Sequence, residues 1–185
     1  MSTAKITRLA LSLTLLIIAS QLVIPIQPVP ITLQTLAVVV IGGILSPIET
    51  FIIMLSYLLI GLIGLPVFAG FSGGMNALLT PSFGFALSFL VSAPIFSTLL
   101  HKRTPWQWGR FVLAAAVHYL ITYSLGLLYL AGYLYYTTGS FPGMIPLLLM
   151  GLVPFCFGDL IKYILSGIII KRLQSAIHST WFTQP

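Results

Sequence analysis

Residues 145–172 read IPLLLMGLVPFCFGDLIKYILSGIIIKR, and this stretch decides the fold. From Ile145 to Ile170 the only ionisable side chains of the Asp, Glu, Lys, Arg or His type are Asp159 and Lys162, and Lys171 and Arg172 close the run. A helix needs about 20 mostly apolar residues to cross the hydrocarbon layer of a bilayer, so this run is long enough to span. Counting back from Lys171 at about 1.5 Å per residue puts Lys162 about 13 Å from the membrane face, with Asp159 about 4 Å deeper. A charge at that depth costs roughly 3 kcal/mol on insertion scales, so such a residue turns into the bundle and marks a functional site by default. Spaced three apart, the two share one helix face and can pair. A structural ion pair is one reading of them. A ligand site is the stronger one, because Leu at both positions would serve structure equally well in lipid. An Asp carboxylate accepts hydrogen bonds from a urea or amide N–H, and a Lys ammonium donates to a carbonyl or carboxylate.

The rest of the 185-residue chain is of one kind with this segment. Charged residues make up 5% of it and hydrophobic ones 58%, whereas a soluble domain carries roughly 25% charged residues. A water-facing surface cannot be built from that composition, and a lipid-facing one needs no charge. The net charge of +6 rests on Lys5, Arg8, Lys102, Arg103, Arg110, Lys162, Lys171 and Arg172. No basic run is interleaved with exposed aromatics, so these charges read as orientation signals and contacts to anionic lipid rather than as a nucleic-acid surface. The single cysteine, Cys156, forms no internal disulfide and offers no metal-ligand spacing. His101 and His178 read as cytoplasmic-loop residues, and two of the three histidines and Cys156 fall at unrelated depths, which argues against a metal site.

Six apolar segments predict an all-α integral membrane protein, a six-helix bundle forming one transmembrane domain over residues 1–185. They run from about Ile6 to Ile24, Leu33 to Leu45, Ile48 to Ile63, Ser82 to Leu100, Phe111 to Tyr136, and Ile145 to Ile170. The first follows Lys5 and Arg8 as a signal peptide would. It ends in Gln-Leu-Val-Ile-Pro rather than a small-residue cleavage site, and so reads as a retained helix stopped by Pro25, Pro28 and Pro30. The second is too short to cross upright and is expected to be partly submerged or capped by its neighbours. With six spans the basic residues before helix one, between helices four and five, and after helix six fall on one side. The opposite loops 25–32, 64–81 and 137–144 hold neither Lys nor Arg. The asymmetry places both termini in the cytoplasm and makes this a multi-pass protein of the inner, or plasma, membrane. Trp106, Trp108 and Trp181 at one end, with Tyr129, Tyr133, Tyr135 and Tyr136 at the other, read as interfacial belts.

The outer loop between helices three and four, GLPVFAGFSGGMN over residues 64–76, is dense in glycine. It reads as a lid or ligand clamp, with the Gly73 and Gly74 backbone able to approach a ligand closely and Phe68 and Phe71 able to cover an apolar ring. Asn76 follows as a candidate polar contact. Gln34 and Thr35 open helix two and either reach into a pocket or cap the helix. Residues 70–74 match the G-x-S-x-G pattern of hydrolases, but no strand precedes them. Ser72 also belongs to the outer loop while His118 lies near the cytoplasmic end of helix five, so no enzyme is expected. Glu49, at the short turn before helix three, suits the positive end of a helix dipole.

Taken together these strings resemble the BioY family, the biotin-specific substrate-binding (S) subunits of energy-coupling-factor (ECF) transporters. The resemblance is carried by PVPITLQTL at 28–36, GLIGLPVFAG at 61–70, Gly73-Gly74, Thr80-Pro81, Gly84-Phe85 and GDLIK at 158–162. It implies a biotin pocket in the outer half of the bundle, with Asp159 and Lys162 as ligand contacts and Asn76, Gly73 and Gly74 as further ones. It also implies a transmembrane coupling (T) subunit and two ABC-type ATPase subunits as partners. The chain has no phosphate-binding Gly-rich loop, so ATP is expected to be bound only by those subunits and no cofactor is expected here. Family members contact the coupling subunit through an Ala-x-x-x-Ala pattern in helix one. The nearest match is Ala10 with Thr14, both small enough for close helix approach. An ion-coupled secondary transporter using Asp159 as a proton carrier is the alternative, and one acidic group in six short helices is a thin inventory for it.

Overall fold

The structure, a computed structural model, describes residues 3–100 and 106–181, with side chains as far as Gln174. Lys102, Arg103 and His101, like the side chains of His178 and Trp181, lie outside the described residues. Among the described residues seven α-helices follow one another: α1 (Thr3–Gln21), α2 (Gln34–Ile44), α3 (Pro47–Ile63), α4 (Phe83–Leu100), α5 (Trp108–Thr138), α6 (Met144–Gly151) and α7 (Val153–Trp181). Between α1 and α2 the chain forms a two-residue antiparallel pair, β1 (Val23–Ile24) with β2 (Ile31–Thr32). Four stretches are long and apolar enough to cross a membrane: α1, α4, α5 and the α6–α7 run, with α2 and α3 as shorter apolar helices.

The expected sixth helix is thus two. Leu152 leaves helical geometry (φ −124°, ψ −55°) between α6 and α7. The cause is Pro154, which cannot donate a backbone hydrogen bond to Met150 and whose ring clashes with that turn. The first helix ends at Gln21 rather than Ile24 for a different reason. Its apolar run continues through Ile24, but Val23 and Ile24 pair with Thr32 and Ile31, and short apolar runs do not distinguish helix from strand.

α2 is the axis of the bundle. Every residue from Ala37 to Gly43 is buried, which is what a helix apolar all round requires. It packs against α1, α4 and α7. This is why a helix too short to span is stable here: its neighbours, not lipid, surround it. α4 and α5 form the most extensive helix pair. Glycines let them close. A methyl at Gly84 would collide with the Tyr129 side chain, and one at Gly126 with the Phe85 ring. Gly84→Leu is therefore expected to lower stability by about 1–3 kcal/mol through overpacking, measured as a reduced thermal unfolding midpoint in detergent. Gly132→Ala, on α5 where an added methyl would meet nothing within 4 Å, should leave the midpoint unchanged or slightly raised.

Apart from Lys162, the described basic residues gather at one end. Glu49 is 5% exposed and accepts from Arg8 Nη2 at 2.7 Å and Lys5 Nζ at 3.2 Å. Its other oxygen closes a capping box with Ser46 at the start of α3. The dipole role expected of Glu49 is thus joined by a clasp between α1 and the α2–α3 turn. At the same end Gln174 Nε2 donates to the Gly43 carbonyl at 3.0 Å, and Lys171 Nζ sits 5.9 Å over the Trp108 ring.

Candidate functional site

α7 sorts its residues by face. Phe155, Asp159, Lys162, Ser166 and Ile170 are buried, whereas Leu160, Ile161, Ile164, Leu165, Ile168 and Ile169 are exposed. The spacing of the buried set is that of one helical stripe, so Asp159 and Lys162 point into the bundle and the Leu and Ile side chains face outward. Lys162 Nζ donates to Asp159 Oδ1 at 2.8 Å, and the two residues are 6% and 2% exposed. The second carboxylate oxygen is held from α5, where Tyr123 O–H donates to Oδ2 at 2.7 Å. A buried charge is tolerated only when paired and hydrogen-bonded, and here both oxygens are. Tyr123 was not legible as a site residue in the sequence, where it is one of several tyrosines in α5. Its spacing of 36 residues from Asp159 gives no local signal.

The pair lines a cavity roofed by the 64–82 loop and walled by α2, α4 and α5. Gln34, Thr35, Phe68, Tyr123, Asp159 and Lys162 are its most telling members, with Phe83, Phe85, Phe89 and Phe155 supplying apolar walls. The enclosed volume is about 60 Å³, room for a few water molecules. Phe68 fills the top. It is 6% exposed and meets Tyr57 and Phe83 edge to face at 5.3 and 5.8 Å, the geometry aromatic quadrupoles favour. Gln34 Nε2 donates to Tyr57 O–H oxygen at 2.6 Å, and Gln34 Oε1 accepts from Thr32. Gln34 therefore serves the cavity wall and the start of α2 together.

The loop is built by backbone hydrogen bonds that only unusual conformations allow. Gly64 (φ +122°), Gly70 (φ +70°), Phe71 (φ +57°) and Gly74 (φ +80°) all have positive φ, a region where side chains are disfavoured. Gly74 N–H donates to the Gly61 carbonyl at 2.7 Å. Gly73 lies so near Leu65 that a Cβ would strike its carbonyl. Gly73 and Gly74 thus fold the loop onto the end of α3 and are not among the residues lining the cavity. Asn76 is exposed and likewise stands apart from it. Gln21, at the end of α1, is the loop's tether. Its Nε2 donates to the carbonyls of Val67 and Phe68 at 3.1 Å each, and its Oε1 accepts the Phe71 N–H at 2.8 Å. Ser20 Oγ adds a bond to Val67 O at 2.5 Å. Nothing in the sequence pattern near Gln21 announces this, because its partners lie about fifty positions away.

Other candidates separate cleanly. Ser72 Oγ donates to its own loop at Ala69 O. His118 is fully buried, with Nδ1 2.6 Å from Tyr163 Oη, so no Ser–His pair forms. Ala10 and Thr14 lie on the exposed side of α1, with Thr14 Oγ1 turned back to Ala10 O at 3.0 Å.

The fold and site define a class: a multi-pass, all-helical membrane protein with a buried acid–base pair beneath a glycine-rich loop. A family model described as the BioY family matches residues 1–179. A protein named biotin transporter BioY2 from Lactococcus lactis subsp. cremoris is 37% identical over 175 residues, covering 95% of this chain and 92% of its own length. A biotin transporter BioY from Thermotoga maritima is 32% identical, covering 86% and 89%. The crystal structure of the S-component for biotin from an ECF-type ABC transporter superposes with a TM-score of 0.79 at 28% identity, covering 95% of both chains. The chain belongs to the BioY family. Its apolar helices and these relatives make it a multi-pass protein of the plasma membrane.

Proposed function

We propose that this chain is the biotin-capturing S component of an ECF importer, and not an enzyme. The observation that carries the reading is the buried Asp159–Lys162 pair on the wall of a cavity roofed by a loop. Biotin presents a ureido ring with two N–H groups and a carbonyl, an apolar sulfur ring, and a chain ending in a carboxylate. Each oxygen of Asp159 has a lone pair beyond the one it uses for Tyr123 or Lys162, so it can accept a ureido N–H. Lys162 has donors to spare for the ureido carbonyl or the carboxylate. The phenylalanine walls suit the sulfur ring and the chain. A ligand of this size exceeds the enclosed space, so it enters as Phe68 and the loop swing outward and is covered when they return. Gly73 and Gly74 serve that motion as backbone pivots, and Asn76 reaches a ligand only through rearrangement of the loop.

The basic end faces the cytoplasm, which puts the loop and cavity mouth outside and both termini inside. The chain has no phosphate-binding loop of its own, so movement of biotin inward depends on a coupling T subunit and two ABC-type ATPases. The exposed face of α1 at Ala10 and Thr14 is the contact for the coupling subunit. No nucleic acid, metal or cofactor enters this reading.

Titration of biotin into the purified, detergent-solubilised chain by calorimetry tests the proposal. Saturable binding at one site supports it. Folded protein that takes up no biotin sinks it and sends the search to other vitamins with a urea or amide group. In the same titration Tyr123→Phe should bind about tenfold or more weakly, since a hydrogen bond to a charged group is worth about 1.5–3 kcal/mol. Unchanged affinity in Tyr123→Phe would mean that ligand recognition does not need the carboxylate held as it is here.

A further inference from the structure

On the side of α7 away from the cavity, α5 and α7 diverge and leave a groove that opens sideways between them. Its lips are the exposed Val112 and Leu120 on α5 and Leu160 and Ile164 on α7. Its floor holds Phe111 and Ala115, with Tyr119, Tyr163 and Cys156 at the deep end. Apart from the tyrosine hydroxyls, the thiol and the Trp108 indole N–H the lining is apolar. The two helices close together again at Gly167, where a methyl would press on Trp108 and Phe111.

Three features of this groove say what it holds. It begins at Trp108, the first residue of α5, at the basic end. It ends at Leu120, twelve residues on, about 18 Å away along the helix. One leaflet of the hydrocarbon layer is half of about 30 Å, so the groove is as long as one acyl layer is deep. Lys171 stands at its basic end. It is exposed, lies on the same face of α7 as Ile164 two turns earlier, and places its ammonium 5.9 Å over the Trp108 ring that forms the groove's rim. An apolar slot one leaflet deep with a cation at the headgroup level matches a lipid with a negative headgroup.

We infer that the α5–α7 groove is a binding site for one acyl chain of an anionic phospholipid of the leaflet on the basic side, with its headgroup at Lys171. This site is separate from the cavity, yet the two share a wall. Tyr119 and Tyr163 line the groove, and the Tyr119 ring lies 4.3 Å from that of Tyr123, the residue holding Asp159. The inference does not depend on the identity of the ligand in the cavity.

Trp108 provides the readout. The chain is reconstituted in nanodiscs of a neutral lipid with small fractions of phosphatidylglycerol or phosphatidylcholine brominated on the acyl chain, and tryptophan quenching is followed. Trp108→Phe supplies the background from the other tryptophans. The expected result is saturable quenching at low lipid fraction, with phosphatidylglycerol preferred about fivefold, as expected for one surface cation. Lys171→Gln should remove the preference and keep the quenching. Ala116→Phe, at an exposed position of the groove where a ring fills space without entering the core, should remove the saturable component. Equal quenching by both lipids in every variant overturns the inference, because that is the behaviour of ordinary annular lipid. A groove covered instead by a second copy would give little quenching by either lipid together with a dimer in light scattering, and that also overturns it.

Discussion

Replacing Asp159 and Lys162 together by Leu is expected to abolish biotin binding while leaving the chain folded. Removing only one of the pair would leave a buried charge without its partner, at a cost of about 3–5 kcal/mol, and loss of binding could then reflect loss of the fold. The double substitution avoids this. Exchange of a buried ion pair for apolar side chains is often neutral or stabilising, and the positions face a cavity already walled by phenylalanines. Two charge-assisted hydrogen bonds to the ligand, each worth about 1.5–3 kcal/mol, amount to at least a hundredfold in affinity. The measurements are the thermal midpoint and the biotin titration on one preparation. An unaltered midpoint with affinity within tenfold of the parent would show that recognition lies elsewhere than α7.

Gln21→Ala is expected to loosen the 64–82 loop. Its amide makes three well-formed bonds to loop backbone. At about 1 kcal/mol net for each, their loss shifts the balance between closed and open loop by about 2–3 kcal/mol, or roughly a hundredfold. Affinity falls in proportion to the fraction of molecules able to close. Hydrogen exchange at the Phe68 and Phe71 amides should accelerate, and biotin should dissociate faster. If those amides exchange as in the parent, the tether assigned to Gln21 is not what holds the loop.

What the sequence disclosed follows from which interactions are local. Asp159 and Lys162 stood out because charge in an apolar run has an energetic cost that composition alone reveals, and their i, i+3 spacing is a property of one helix. The six apolar segments were legible for the same reason. The break at Leu152 was signalled by Pro154, yet the hydropathy of the run continued across it. Tyr123 and Gln21 act through contacts between elements far apart in the chain, and neither sits in a distinguishing pattern. Phe68 and Gln34 are at the cavity, as their positions in the loop and at the start of α2 suggested. Gly73 and Gly74 were singled out for close backbone approach, and the approach found is to Gly61 and Leu65 of the protein itself.

The burial of α2 from Ala37 to Gly43 has a consequence for how the protein is made. Eleven residues of helix reach about 16 Å, half the thickness of the hydrocarbon layer, so α2 cannot be threaded into the bilayer as a span in its own right. It enters with α3 as a hairpin across the short Leu45–Ser46 turn. α7, which later helps to enclose it, is the last of the helices to be made, and lipid or the insertion machinery must stand in for it until then. The wall around α2 closes only when α7 emerges from the ribosome. That helix also brings Asp159 and Lys162, so completion of the bundle and arrival of the binding residues are a single event in biosynthesis.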